Sequence, residues 1–353
     1  MQILNNTVSR IERIDFSLAE ETQQRLDRLT KPQGSLGRLE ELAKQVVEIT
    51  RVHSPDLTHK VVFVMAGDHG VTAEGVSAFP KEVTPQMVYN FLKGGAGINV
   101  LARHVGARVV VADLGVAVDL ASHSGLIVRK VNYGTGNMSK GPAMTRQDAV
   151  RSIENGIEIF EAEYKKGVNL AATGEMGIGN TTAASAIVAA ITGLAVEAVT
   201  GKGTGIDIAA WQKKVAVIGQ ALLVNKPDPK DGIDVLAKVG GFEIGGLVGV
   251  ILAAAARRVP VVVDGFISSA AALVAVVIEP KVKDYLIASH ASVEIGHKIV
   301  WEYLSLRPVL DLNLRLGEGT GAALAMGIVE AGVKILTRMS TFETAGVASQ
   351  VTQ

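Results

Sequence analysis

Short runs of valine, isoleucine and alanine alternate along most of this chain with stretches whose apolar residues recur at helical spacing. The first sixty residues are more polar and read as helical. Ser17-Leu-Ala-Glu20 has the form of a capping box opening a helix to about Leu29. Lys31-Pro-Gln-Gly-Ser-Leu-Gly37 breaks that helix, and Arg38–Arg51 resumes with Leu39, Leu42, Val46 and Ile49 on one face. An αα-hairpin is expected, with residues 53–60 as a linker.

Beyond Lys60 the pattern changes. Val61–Met65, Val109–Ala112, Val168–Ala172, Val261–Val263 and Tyr285–Ala288 are predicted buried strands. Helices are predicted between them: one capped by Thr84 with Pro85 at its first position, one from the Thr145 cap to Lys166, and one opening near Asn180. Asp207 is expected to cap a helix to about Asn225, and Gly240-Gly241 to separate two buried helices, 233–239 and 242–258. Residues 268–278, 292–306 and a stretch ending near Arg338 complete the helical set.

Continuously apolar strands, each followed by a helix, predict an α/β fold with a mostly parallel, Rossmann-like sheet covered on both faces. The expected division is a helical segment 1–60, a large α/β domain 61–290, and a C-terminal helical segment 291–353 that joins the first in a small domain and completes the site. Ligands of such sheets bind beyond the carboxyl ends of the strands. Asp68, His69, Asp113, Glu175, Asp264, Ser289 and His290 collect there. Asp68-His69 reads as a hydrogen-bonded strand-end pair.

The loop Thr173-Gly-Glu-Met-Gly-Ile-Gly-Asn-Thr-Thr182 joins a strand to an alanine-rich helix. Such a junction offers backbone N–H groups and a helix N-terminus to a phosphate or carboxylate. It nearly matches the nucleotide-hydrolase phosphate loop, but Asn180 stands where the lysine belongs and Glu175 sits inside the loop. The pattern is that of a monophosphate cradle; a tight turn with no ligand is the alternative. Gly317-Glu-Gly-Thr-Gly321 repeats the arrangement, with Glu318 bordered by glycines ahead of a helix. A glutamate in apolar surroundings has a raised pKa and can act as a general base. Equally, a first-turn acid is favoured by the helix dipole alone. Asp264 suits a ligand hydroxyl, and one of Lys213 and Lys214 faces solvent. Phe79, Pro80 and Met87 are candidates for an apolar slot that takes a flat ring, or for ordinary core.

Composition narrows this little but usefully. The 353 residues are 48% apolar and only 4% aromatic, and 35 basic side chains balance 35 acidic ones. That balance lacks the basic surplus of a nucleic-acid binder. There is no cysteine, and the seven histidines show no metal-ligand spacing, so no metal site is expected. The N-terminus has no apolar signal region, and the apolar runs 245–256 and 270–278 fall short of a membrane span. A cytoplasmic protein without membrane association is expected.

Six stretches in this order carry a resemblance. They are Lys31–Glu40, Ala66-Gly-Asp-His-Gly-Val71, Gly174–Thr182, Asp231–Phe242, Val263-Asp-Gly-Phe266 and Arg315-Leu-Gly-Glu-Gly-Thr-Gly-Ala322. Together they resemble the nicotinate-nucleotide–dimethylbenzimidazole phosphoribosyltransferase family, of cobalamin lower-ligand synthesis, over essentially the whole chain. The resemblance implies transfer of phosphoribose from nicotinate mononucleotide to 5,6-dimethylbenzimidazole or a related base, with inversion, giving α-ribazole 5′-phosphate and nicotinate. It implies Glu318 as general base, and phosphate and ribose binding by Glu175, Gly177, Ile178, Gly179, Asn180, Thr181, Lys214, Asp264 and Gly319. It further implies a base pocket at Phe79, Pro80, Gln86, Met87 and Met176, a homodimer, and no cofactor. Phe79 and Met87 depart from the small or polar groups some members carry there, which leaves the accepted base open. A non-catalytic mononucleotide sensor and a degenerate nucleotide hydrolase are the alternative readings.

Overall fold

In the computed structural model, residues 1–201 and 207–348 are described; the last five residues of the predicted C-terminal segment lie outside them. Six strands form one sheet: β1 (Lys60–Gly67), β2 (Ala107–Gly115), β3 (Leu126–Val128), β4 (Leu170–Met176), β5 (Val261–Val263) and β6 (Leu286–Ala288). All pairings are parallel and the order is β3-β2-β1-β4-β5-β6. This is the doubly wound order, whose direction reverses between β1 and β4 and opens a crevice beyond their carboxyl ends.

The strands are mostly apolar because both faces of the sheet are covered. Val61, Phe63 and Met65 point into one core with Ala171, Val261 and Leu286, while Val62, Val64 and Ala66 point into the other with Ala172, Val262 and Ile287. That alternation is the period of two of a pleated strand. The helices Arg146–Tyr164, Phe242–Ala256, Asn180–Thr192 and Phe266–Ile278 build the first layer, and Val83–Lys93, Gly97–His104 and Thr320–Arg338 the second. The Thr320–Arg338 helix is long and apolar enough to cross a membrane, yet 56% of that window is buried inside this fold.

The helix Gln2–Val8 packs on Arg146–Tyr164 and Phe242–Ala256. The hairpin Ala19–Arg28 and Arg38–Thr50 packs on the Thr320–Arg338 helix, around Leu26, Leu29, Ala43, Val47 and Leu336.

Two predicted caps are corrected. Ser17 does not cap: Asp15 accepts the Ser17 N–H and opens a short 3-10 turn that runs into Ala19–Arg28. Thr84 is inside its helix, which starts at Val83, and its hydroxyl accepts the Ile178 N–H at 3.1 Å instead. The predicted caps at Thr145 and Asp207 form as expected. The helix Gly97–His104 and the edge strand β3 are additions. Eight and three residues long, they carry too few apolar repeats to register as periodic.

Candidate active site

The crevice between β1 and β4 holds a cleft of about 710 Å³. One wall is the turn Gly177–Thr181, which leaves β4 and enters the Asn180–Thr192 helix through Gly179 at φ +92°. The Asn180–Thr192 helix starts in this turn, so its N-terminus faces the cleft. The opposite wall is Asn313–Glu318. Here Gly317, Glu318 and Gly319 all have positive φ (80°, 62° and 93°) before the Thr320–Arg338 helix begins. For Glu318, a left-handed backbone is a strain that the packing around it must hold in place.

The two glycine loops touch. A Cβ at residue 174 would lie 2.4 Å from the Glu318 carbonyl oxygen, and one at residue 317 would lie 2.4 Å from a Glu175 carboxyl oxygen. This contact brings both glutamates to one cleft. Glu318 is 6% exposed and accepts the Ile98 N–H at 3.2 Å. Burial, with a smaller push from Asp264, raises its pKa against the pull of that hydrogen bond. The short helix Gly97–His104, unforeseen in the sequence, thus supplies the Glu318 carboxylate with a fixed hydrogen-bond partner.

Glu175 accepts from the Asn180 side chain. Burial first, and then the nearby Asp264, push its carboxyl up to about 8, so it is protonated at neutral pH. Asn180, standing where a hydrolase would have lysine, is thereby engaged with Glu175. The raised value makes a stability prediction. The folded state holds a proton that the unfolded chain releases near 4.5, so stability falls as pH rises from there to about 8. Glu175→Gln removes this loss. Its Tm should match wild type near pH 4.5 and exceed it by on the order of a few degrees at pH 8; an equal Tm at both pH values in a calorimetric series would refute the assignment.

Lys214 is 1% exposed, and its Nζ donates to Thr181 Oγ1 at the end of the Gly177–Thr181 turn at 2.8 Å. Burial pulls its pKa down to about 8, against the attraction of Glu294. Asp264, also 1% exposed, does not reach the cleft: it accepts the Gly319 and Ala322 N–H groups at 3.0 and 2.9 Å. From outside the helix it satisfies two amides at the N-terminus of Thr320–Arg338, whose N-cap is Gly319, and the Gly319 amide offered for phosphate binding is occupied by it. A carboxylate at a helix N-terminus is favoured by the exposed amides and the dipole.

Phe79, Met87 and Met176 line the cleft together with Val76 and Val83. Pro80 lines a neighbouring hollow of about 630 Å³ that shares Ser77 and Phe79, and Gln86 is exposed on its helix. Sequence reasoning missed Arg315, Ser292 and Glu294, which also line the cleft. Arg315 is in a recognised motif, but nothing in a single sequence distinguishes it from a surface arginine. His290 lines it too; burial holds its imidazole below the ordinary value. A larger hollow of about 1160 Å³ lies away from these loops, between the Ala19–Arg28 helix and residues 341–348. Among the described residues no group of three or more His, Cys, Asp or Glu is arranged to hold a metal.

Comparison with known proteins bears on this geometry. The sequence model of a family described as phosphoribosyltransferase matches residues 11–347. A nicotinate-nucleotide–dimethylbenzimidazole phosphoribosyltransferase of Geobacter sulfurreducens is 61% identical over 348 residues, 99% of both chains. One of Chloroflexus aggregans is 59% identical over 350 residues, again 99% of both. The crystal structure of CobT from Thermus thermophilus superposes with a TM-score of 0.91 at 45% identity, covering 94% of this chain and 99% of that one.

Proposed function

The chain belongs to the phosphoribosyltransferase family matched over residues 11–347, and from that premise we propose that it moves the phosphoribosyl group of nicotinate mononucleotide onto 5,6-dimethylbenzimidazole. The products are α-ribazole 5′-phosphate and nicotinate, and a proton is released. The observation that carries this reading is the contact between the two glycine loops, which sets one buried carboxylate, Glu318, across a single cleft from a helix N-terminus suited to a phosphoryl group.

The chemistry follows from these parts. The Gly177–Thr181 turn holds the 5′-phosphate, with Lys214 behind it through Thr181. Phe79, Met87 and Met176 receive the benzimidazole ring, whose one nitrogen attacks C1′ as the bond to nicotinate breaks. Glu318 takes the proton from the other ring nitrogen. A raised pKa makes it a stronger base than an exposed glutamate, and activity is expected to fall at acid pH as it protonates. The leaving group departs as a neutral pyridine ring bearing its own carboxylate, so the displacement requires no diphosphate-binding metal. Glu175, neutral at pH 7, adds no second charge next to the donor's phosphate.

A homodimer and a cytoplasmic location are part of the same proposal, supported by the family resemblance. The test of function is incubation with nicotinate mononucleotide and a panel of benzimidazoles and purines, followed by chromatography. A new phosphoribosylated base appearing with one equivalent of nicotinate is expected; unchanged nicotinate mononucleotide with every base would end the proposal.

A further inference from the structure

Packed against the Gly177–Thr181 turn is a buried His–Glu pair that lines no part of the 710 Å³ cleft, although His69 borders the neighbouring hollow, and the transfer reaction does not use it. His69 Nε2 meets Glu243 Oε1 at 2.6 Å, with side-chain exposures of 1% and 0%. His69 follows β1 and Glu243 is in the first turn of the Phe242–Ala256 helix, so the pair ties two elements 174 residues apart. Asp68, expected as the histidine's partner, instead accepts the Ala117 N–H. Burial pulls the imidazole pKa down, but the Glu243 carboxylate, with a smaller contribution from the charge of Asp68, more than offsets it, and His69 is held above its ordinary value. The second Glu243 oxygen has no hydrogen-bond partner among the described residues.

Such a pair is a poor way to stabilise a core. Removing two charges from water costs about as much as their attraction returns, and well-packed apolar residues often do better. Its position suggests another use. A Cβ at residue 177 would lie 3.4 Å from the imidazole, and one at residue 179 would lie 3.4 Å from the His69 Cβ. On the other side of the ring, a Cβ at residue 241 would lie 2.4 Å from its Cε1. The imidazole is therefore clamped between the phosphate turn and the start of the Phe242–Ala256 helix. Its orientation is fixed by the bond to Glu243.

We propose that the His69–Glu243 pair is a positioning device for the phosphoryl-binding turn: it sets the place of Gly177–Gly179, so that donor affinity depends on two residues that do not line the donor cleft. This rests on reading the turn as the donor's phosphate site. A pair of this kind acts on nicotinate mononucleotide and leaves the base pocket at Met87 and Met176 alone.

The variants are His69→Ala, His69→Gln, which keeps a donor near the Nε2 position, and Glu243→Gln. Two measurements run on each: KM for both substrates, and amide hydrogen exchange of residues 176–182 in the protein without substrate. In His69→Ala the KM for nicotinate mononucleotide should rise about tenfold, since small misplacements of binding groups are costly. Its KM for dimethylbenzimidazole should stay unchanged, and exchange should accelerate in the turn. His69→Gln should recover most of both effects, and Glu243→Gln should shift them in the same direction as His69→Ala by less. Wild-type exchange in the turn of a folded His69→Ala protein would overturn the proposal. So would equal rises in both KM values with faster exchange across the whole sheet, which is general loosening. Should His69→Ala not fold, Glu243→Gln against His69→Gln decides in the same way. If wild type fails to use nicotinate mononucleotide, the functional reading falls while the exchange comparison still tests the clamp.

Discussion

Glu318→Gln is expected to lower turnover by about 10²- to 10⁴-fold, the contribution of a well-placed general base, while the dissociation constant of nicotinate mononucleotide stays within about threefold of wild type. The substitution keeps shape and the acceptor for the Ile98 N–H, so the left-handed residue between Gly317 and Gly319 retains that fixed partner. What it removes is the ability to take a proton. Loss of an interaction made only in the transition state lowers kcat and kcat/KM together and leaves binding alone. Calorimetric titration of the donor beside steady-state rates separates the two. A variant that turns over at near wild-type rate would transfer the base's role to another group, with Glu175 the other buried glutamate in the cleft wall among the described residues.

Gly174→Ala should be as damaging for a different reason. Its Cβ would lie 2.4 Å from the Glu318 carbonyl oxygen, 2.8 Å from that carbonyl carbon and 3.1 Å from the Gly319 nitrogen. All three atoms are backbone, so no side chain can swing aside. On one side Gly174 is held in the β1–β4 ladder opposite Val64. On the other, the Asp264 carboxylate holds the Gly319 and Ala322 amides. Relief of the clash requires the loops to separate by about 1 Å, a displacement that can cost on the order of 10²-fold in rate. Overpacking of this kind also costs about 1–3 kcal/mol of stability. The expected result is a lower Tm by calorimetry and a turnover loss of about 100-fold with Glu318 still present. Wild-type kinetics in this variant would mean that the loop contact does not set the distance between donor and base.

Much of this is legible in the chain because the fold and the site use local signals. Continuous apolar strands announce a sheet covered on both faces, and glycine-rich junctions after strands announce where ligands approach. Gly174–Thr182 and Gly317–Gly321 are readable as a pair because each repeats glycine, acid, hydroxyl and helix start. What sequence does not show are partnerships made across the chain. Asp264 reads as a ligand for a hydroxyl from its strand-end position, and only the packing of the Thr320–Arg338 helix turns it into an acceptor for amides at that helix's N-terminus. Thr84 has the sequence context of a helix cap, yet its hydroxyl accepts an N–H of the Gly177–Thr181 turn 94 residues away. His69 beside Asp68 invites a local pair, while its bond runs to Glu243. In each case the competing partner is brought near by sheet order, which no local pattern encodes.

The central claim is that a base nitrogen displaces nicotinate from the face opposite to it while Glu318 removes the proton. The anomeric linkage of the product reports this directly. Proton NMR of the product from nicotinate mononucleotide and 5,6-dimethylbenzimidazole should show an α-linked ribose 5-phosphate on the base, with one nicotinate released for each product formed. A β-linked product, or nicotinate released at the same rate without any base present, would contradict it.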